Sequence, residues 1–430
     1  METLQETKEI TKEEIKLQEK KKNNIKIYKI YKIFSWDLLF YYAIIYLFLT
    51  IEKKITPAQV LQFDAFYILF KFLTQIPSTL IIQKVGKRRS LIIANFILTI
   101  HILIIMFSKS FAMLLLSQLL CAFSYVTKAT CESDMLYDSL EHGEKRGIQF
   151  AKIDGKATSR YYYIDAISSI LSGFLFVINP YIPMLICFII LLFSFVMSTK
   201  FEELQKEKGR MQIKEEIKNI RNSFRNILKS KRLKCLLLFN AIFIALLKIL
   251  QNLRNTVLIE IGMPEQYFGI IFAALGIVTG IATKNQGKIH KKYRNKTLTF
   301  LSLPMAISCL LMGVTLLSNF NTNVLIVLIL ALSAVQYIMK GPYYTLIKQY
   351  FNNFTNSEKR VKISTANNII ENAIASILVF GASYILEIIP TAYTLIIIGC
   401  IFTAGFVLLL DYMRSRVGLK PEEYSRKEIL

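Results

Sequence analysis

Twelve apolar runs, most of them about 20 residues long, follow one another along this chain, with alternate breaks between them rich in Lys and Arg. Runs of that length match the ~30 Å hydrocarbon slab of a bilayer when they are helical. Nothing else in the sequence constrains the fold as tightly. The runs cover 30–51, 57–82, 90–108, 111–139, 159–178, 181–199, 234–257, 265–284, 297–318, 322–347, 365–386 and 390–411. Hydrophobic residues make up 53% of the 430, with 30 Phe and 22 Tyr. A soluble protein of that composition would need an unusually large core. Pro57, Pro180, Pro183, Pro264 and Pro390 sit at or near run ends, where the first helical turn tolerates them. Pro77, Pro304 and Pro342 fall inside runs and predict bent helices, which membrane bundles accept.

The formal charge of +23 would suggest nucleic-acid binding in a soluble protein. Here the charge is distributed by side. With the N-terminus in the cytoplasm, 45 Lys and Arg fall in the N-tail, the alternate loops and the C-tail; 3 fall on the opposite side and 5 lie within runs. That asymmetry predicts a multi-pass protein of the cell membrane with both termini cytoplasmic. It also argues against a nucleic-acid partner. The termini show no signal peptide, only a charged N-tail that pairs Glu9 with Lys12 and Glu13 with Lys16, read as a solvated helix or a disordered arm.

No cofactor or metal site is expected. Cys121, Cys131, Cys187, Cys235, Cys309 and Cys400 lie in or beside apolar runs without a CxxC pair, as packed thiols do. His101, His142 and His290 form no cluster. GIATKNQGK lacks the first glycine of a phosphate-binding loop, having Ala282 there. An enzyme would need a clustered nucleophile or acid–base set, and none is visible.

The longest interruption, 200–233, follows six runs and precedes six. Its Ile213, Ile217, Ile220, Phe224 and Ile227 recur at helical spacing, so it reads as an amphipathic helix on anionic lipid. The expected organisation is an N-tail (1–29), a six-helix bundle (30–199), this linker (200–233), a second bundle (234–411) and a C-tail (412–430). Each half has a short basic loop after its second run: QKVGKRRS at 83–90 and KNQGKIHKKYRNK at 284–296. Six plus six spans around a long central loop suit parallel repeats about a midplane site.

QIPSTLIIQKVGKRRSL, residues 75–91, resembles the loop between the second and third spans of the major facilitator superfamily. Gly86 and Arg88 match the second part of its Gly-x-x-x-Asp-x-x-Gly-Arg-Lys/Arg pattern, and Lys87 keeps a charge; Thr79 and Gln83 depart from it. ESDMLYDSL and KIDGKATS are similar to a bacterial branch described as drug or uncharacterised efflux permeases. The resemblance implies an all-α fold of 12 transmembrane helices in two pseudo-symmetric halves, and a solute transporter working by alternating access. It implies efflux of an amphipathic compound, with metabolite uptake or a non-transporting sensor as alternatives. The antiporter signature of the fifth span is absent from YYYIDAISSILSGFLFVINP.

Charges inside spans cost about 2.5–3.5 kcal/mol each at a helix centre, so they face cavities or one another. They are Asp37, Asp64, Lys71, Lys128, Glu132, Asp134, Asp138, Asp165, Lys248, Arg254, Lys340 and Glu371. The resemblance implies that Asp138, an acid at the cytoplasmic end of the fourth span, latches a cytoplasmic gate against Arg88 or Lys84 of the basic loop, beside Gly86 and Lys87. The remainder apart from Arg254 form the expected substrate and coupling cavity: Asp37, Asp64, Lys71, Lys128, Glu132, Asp134, Asp165, Lys248, Lys340 and Glu371. Lys128 and Glu132 share a face at i,i+4, either as an ion pair or with Glu132 serving proton coupling or cation recognition. Asp134 and Asp138 share another face, and Asp134 is expected to sit deep. Glu132, Asp134, Asp37 and Glu371 are the proton-coupling candidates. Lys128 and Lys340 occupy corresponding places in the two halves and either receive an anion or neutralise these acids. Tyr337 is a candidate for stacking on a solute; Tyr161, Tyr162, Tyr163, Tyr343 and Tyr344 read as interface anchors. A small solute, a proton and lipid are the expected partners of a monomer.

Overall fold

A computed structural model describes residues 2–141, 146–204, 231–293, 296–353 and 360–412, with Asn222, Arg225 and Lys229. The amphipathic helix expected at 213–227 and the tail beyond 412 lie outside the described residues, apart from those three. The described chain is helical: α1 (Glu2–Ser35), α2 (Ile45–Leu47), α3 (Pro57–Val85), α4 (Lys87–Phe107), α5 (Phe111–Ser139), α6 (Arg146–Ile178) and α7 (Tyr181–Thr199). Then come α8 (Lys231–Glu260), α9 (Gln266–Lys284), α10 (Gln286–Tyr293), α11 (Thr297–Leu316), α12 (Thr322–Asn353), α13 (Arg360–Ile388) and α14 (Thr391–Tyr412). Among the described residues, eleven helices are long and apolar enough to cross a membrane. They match eleven of the twelve expected runs. Helices α3, α11 and α12 continue through Pro77, Pro304 and Pro342.

The remaining run, 30–51, is not one helix. Helix α1 stops at Ser35, residues 36–44 form turns, α2 adds a single turn, and Phe48–Glu52 is a π-helix. Phe40 adopts φ 62°, a left-handed conformation that is strained for an aromatic residue. Backbone groups freed inside a membrane must find partners in the protein, and the neighbours of this break form the site described below.

The helices group into two compact units: residues 1–44 with 73–211, and 45–72 with 212–430. Helix α3 contributes to both. In the first unit α4 packs on α5 and α7, and α1 packs on α5, α6 and α7. One stripe of α1 is buried at helical spacing: Asn24, Ile27, Tyr28, Tyr31, Lys32 and Ser35. The N-tail is therefore the continuation of a packed helix, although Glu14–Glu19 is exposed. Ile27, Tyr28 and Tyr31 join Leu91, Cys131 and Phe201 in one apolar cluster.

In the second unit α11 packs on α14 and α12, α9 on α12, and α8 on α13. The α11–α14 contact is close enough to require glycine. A Cβ on Gly313 would lie 2.5 Å from the Ala392 carbonyl, and one on Gly399 would lie 2.6 Å from the Leu310 nitrogen. Small residues allow such backbone approach in membranes, where dispersion and packing replace the hydrophobic drive between helices. Outward side chains are apolar, with Ile178 and Leu408 more than 70% exposed, as lipid contact requires.

Candidate functional site

Glu132 is 2% exposed and sits between two lysines. Its Oε2 pairs with Lys32 Nζ, and Lys128 Nζ lies 3.7 Å from Oε1. Tyr31 donates to Oε1 at 2.7 Å, and Ser35 at 3.2 Å. Tyr31 has one proton, so with Glu132 as its acceptor it receives from Asn95 Nδ2 at 2.9 Å. Lys128 Nζ also donates to the Ser35 carbonyl, the end of α1. Carbonyls there lack an intrahelical donor and carry the negative end of the helix dipole, so a buried ammonium satisfies both needs.

Asp37 lies just past the break. Its Oδ1 accepts from the Leu38 N–H at 2.9 Å, from Tyr42 at 2.7 Å and from Tyr125. Lys128 is within electrostatic reach of it. The cluster thus balances Lys32 and Lys128 against Glu132 and Asp37. Asp165 faces buried Tyr161 one turn away on α6, whereas Tyr162 and Tyr163 are exposed.

Lys32 corrects the sequence reading, which counts it with the tail lysines and leaves it out of the span charges although it lies in the run 30–51. It is 5% exposed, and its Nζ lies 4.4 Å from the ring of Trp36. Asp134 is another correction. It does not sit deep beside Glu132; its side chain is 46% exposed and lies 3.7 Å from Lys87. Lys87 also pairs with Asp138 at 3.0 Å, and Arg146 reaches Asp138 at 3.8 Å. The partners of Asp138 are therefore Lys87 and Arg146 rather than Arg88 or Lys84. Lys84 is exposed, and Arg88 donates to the Thr199 carbonyl at 2.8 Å.

Gly86, at φ 94°, turns the chain between α3 and α4. The first N–H groups of α4 then point at Glu203, which accepts from Lys87 N at 3.1 Å and Arg88 N at 3.0 Å. Gln83, at the departed Asp position of the loop pattern, supplies no such carboxylate; Glu203, beyond α7, caps the helix. Losing a cap costs about 0.5–2 kcal/mol. Glu203→Ala should lower the melting temperature of the purified protein, with Glu203→Gln intermediate.

In the second unit Asp64 lies 3.8 Å from Lys248 and accepts from Asn252 Nδ2 at 2.9 Å. Arg254, expected only as a span charge, is 3% exposed and donates to the Tyr337 hydroxyl at 2.8 Å. Lys340 Nζ lies 4.9 Å from the centre of the same ring. Tyr337 thus engages protein cations. Glu371 is separate: it accepts from Asn240 Nδ2 at 2.5 Å and Asn367 Nδ2 at 3.3 Å, and it feels the charge of Lys71. Tyr343 fixes Asn240 by donating to its Oδ1 at 3.0 Å. A cavity of about 650 Å³, not expected from sequence, is lined by Thr56, Gln59, Glu260, Pro390 and Thr391, with Thr391 donating to Glu260 at 2.5 Å.

Sequence reading misses Lys32, Tyr31, Ser35, Asn240 and Asn367. The first three carried a signal: they fall on the buried α1 stripe at spacings of three and four. Asn367 stands four residues before Glu371 on the same helix, a spacing that was readable; Asn240 carried no signal, because Asn in a span is not marked by charge.

These features define a polytopic helical membrane protein with charged groups buried inside its spans. The model of the Major Facilitator Superfamily matches residues 33–380, and the chain belongs to that family. No curated protein matches the sequence. Among solved structures, nucleoside transporter NupG is similar at TM-score 0.68 and 14% identity, covering 91% of this chain and 98% of that one. A POT family transporter in complex with 5-aminolevulinic acid is similar at 0.66 and 12%, covering 91% and 96%. A D-xylose-proton symporter is similar at 0.64 and 12%, covering 94% and 98%. At such identities the likeness is one of fold.

Proposed function

We propose that this chain is a secondary active transporter that moves a small solute by alternating access, with proton coupling carried by Glu371. The observation behind the coupling acid is its amide clamp. Asn367 Oδ1 is buried without a hydrogen-bond partner among the described residues, while its Nδ2 donates to Glu371. Turning that amide over presents the Oδ1 as acceptor for a protonated Glu371, so one residue serves both protonation states. Glu132, Asp134 and Asp37 suit the role less well. Glu132 is held by two lysines, Asp134 lies beside Lys87, and Asp37 is held by three donors. Fold neighbours that include a D-xylose-proton symporter support the class of activity.

The 45-to-3 distribution of Lys and Arg supports cytoplasmic termini in the cell membrane. The halves 30–199 and 234–411 are the proposed bundles of a monomer in lipid. Lys87, Asp134, Asp138 and Arg146 form the proposed cytoplasmic latch. Efflux of an amphipathic compound rests on the sequence resemblance of 132–159 alone; the charged span interiors favour a polar solute.

The test is reconstitution in liposomes with a trapped pH dye and a panel of solutes. Wild type should show solute-dependent proton movement. Glu371→Gln should lose it while retaining counterflow of the same solute. Coupled proton movement that survives in Glu371→Gln would assign the proton to another acid. Flux without protons in wild type would make the protein a uniporter or the user of another ion.

A further inference from the structure

The charges around Tyr337 do not balance. Lys248 and Arg254 come from α8, Lys340 from α12, and Lys340 lies within electrostatic reach of both. Asp64 is the carboxylate that faces this group, and it is engaged by Lys248 and Asn252. Among the described residues, Arg254 and Lys340 have no carboxylate within ion-pair distance; their recorded partners are Tyr337 and Asn255. The contrast with Glu132 is direct, since the two lysines there meet two acids. Three cations with one anion inside membrane spans are costly. The protein nevertheless holds them against Tyr337 and Asn255.

The arginine is also pre-set. Its Nε and Nη2 donate to Asn255 Oδ1 at 3.3 and 3.0 Å, and its Nη1 to Tyr337. Those bonds use three of the five guanidinium N–H groups and leave one on each Nη. Two such donors on a planar fork match the oxygens of a carboxylate or phosphate. Lys340 is partly exposed and the Lys248 side chain is 31% exposed, while Arg254 and Tyr337 are buried.

We propose that Arg254, Lys340 and Lys248, arranged around Tyr337, form a subsite for an anionic group, a carboxylate or a phosphate, on the transported solute. The anion supplies the missing charge, and Tyr337 holds the two strongest donors in register. This inference rests on the transporter reading for the word solute, but the anion site stands or falls by binding.

The experiment uses the full chain in phosphatidylcholine nanodiscs, where no anionic lipid competes. Thermal stability is followed with matched pairs: succinate against succinamide, and glycerol 3-phosphate against glycerol. At least one anion should raise the melting temperature where its neutral counterpart does not. Lys340→Gln and Arg254→Gln should each weaken that effect about tenfold or more, the scale of one hydrogen bond to a charged group. Arg254→Lys, which keeps charge but loses the fork, should fall between and covers the case in which Arg254→Gln does not fold. Equal shifts from anion and neutral partner, no anion-dependent shift in either pair, or a shift unaltered by both variants would overturn the subsite. Flux of the same pairs in liposomes separates the two readings. Transport of only the neutral members would sink the anion site and keep the transporter. Anion binding that the variants abolish, with no flux of any solute, would keep the site and sink transport.

Discussion

Glu132→Gln should melt far below the wild-type protein. Glu132 is the shared carboxylate of Lys32 and Lys128, all three no more than 5% exposed. Gln keeps the shape and one acceptor oxygen but removes the charge. Two ammonium groups then remain buried, and the other acid shown within reach of Lys128 among the described residues is Asp37. Removing one partner of a buried ion pair typically costs about 3–5 kcal/mol, because the surviving charge loses its compensation. The measurement is thermal unfolding in detergent or nanodiscs. Adding Lys128→Met to Glu132→Gln should recover part of the loss, since it removes one of the stranded charges. Lys128→Met also strips the donor from the Ser35 carbonyl, so recovery should be incomplete. A Glu132→Gln protein as stable as wild type would mean that the carboxyl is already neutral in the folded state.

Gly399→Leu should disrupt the α11–α14 contact. The first added carbon alone meets Leu310 N, Cβ and Cα at 2.6, 2.7 and 2.8 Å. Two of those three atoms are backbone, so no side-chain rotation relieves the clash and the helices must separate. Overpacking of this kind costs about 1–3 kcal/mol, and more where backbone cannot move. Gly405→Ala on the same helix is the control, because a Cβ there meets nothing within 4 Å. The expected result is a marked fall in melting temperature and folded yield for Gly399→Leu and none for Gly405→Ala. Equal behaviour of the two would show that α11 and α14 do not approach as closely as described.

The spans were legible because hydropathy over about 20 residues reports what a bilayer selects. Eleven of the twelve runs became membrane-length helices for that reason. The first run was not legible as a broken one. WDLLFYYAI contains neither Gly nor Pro, and its composition is as apolar as that of an intact helix. What stops α1 has a local and a tertiary part: the Asp37 carboxylate takes the N–H of the adjacent Leu38, and Lys128, 93 residues along the chain, takes the Ser35 carbonyl. The second contact is one that no local pattern encodes. Lys32 was misread for a related reason. A lysine next to a basic tail looks like tail until the partner, 100 residues later on α5, is known. The i,i+4 pairing of Lys128 with Glu132 needed only helix geometry and was readable. Arg254 with Tyr337 and Asn240 with Glu371 join separate helices, and spacing along the chain does not bring them together, whereas Asn367 stands i,i+4 from Glu371 on α13.

The interrupted first span also bears on how the chain is made. A segment that carries Lys32 and Asp37, with its helix stopped at Ser35, partitions poorly into lipid by itself. Its compensating charges reside on α5, which the ribosome completes only after Ser139. The nascent chain must therefore hold its opening span in a protected place, or at the bilayer surface, until three further helices have been synthesised. A chain truncated before α5 should stay accessible to aqueous cysteine reagents at positions 36–44, and one truncated after α5 should not.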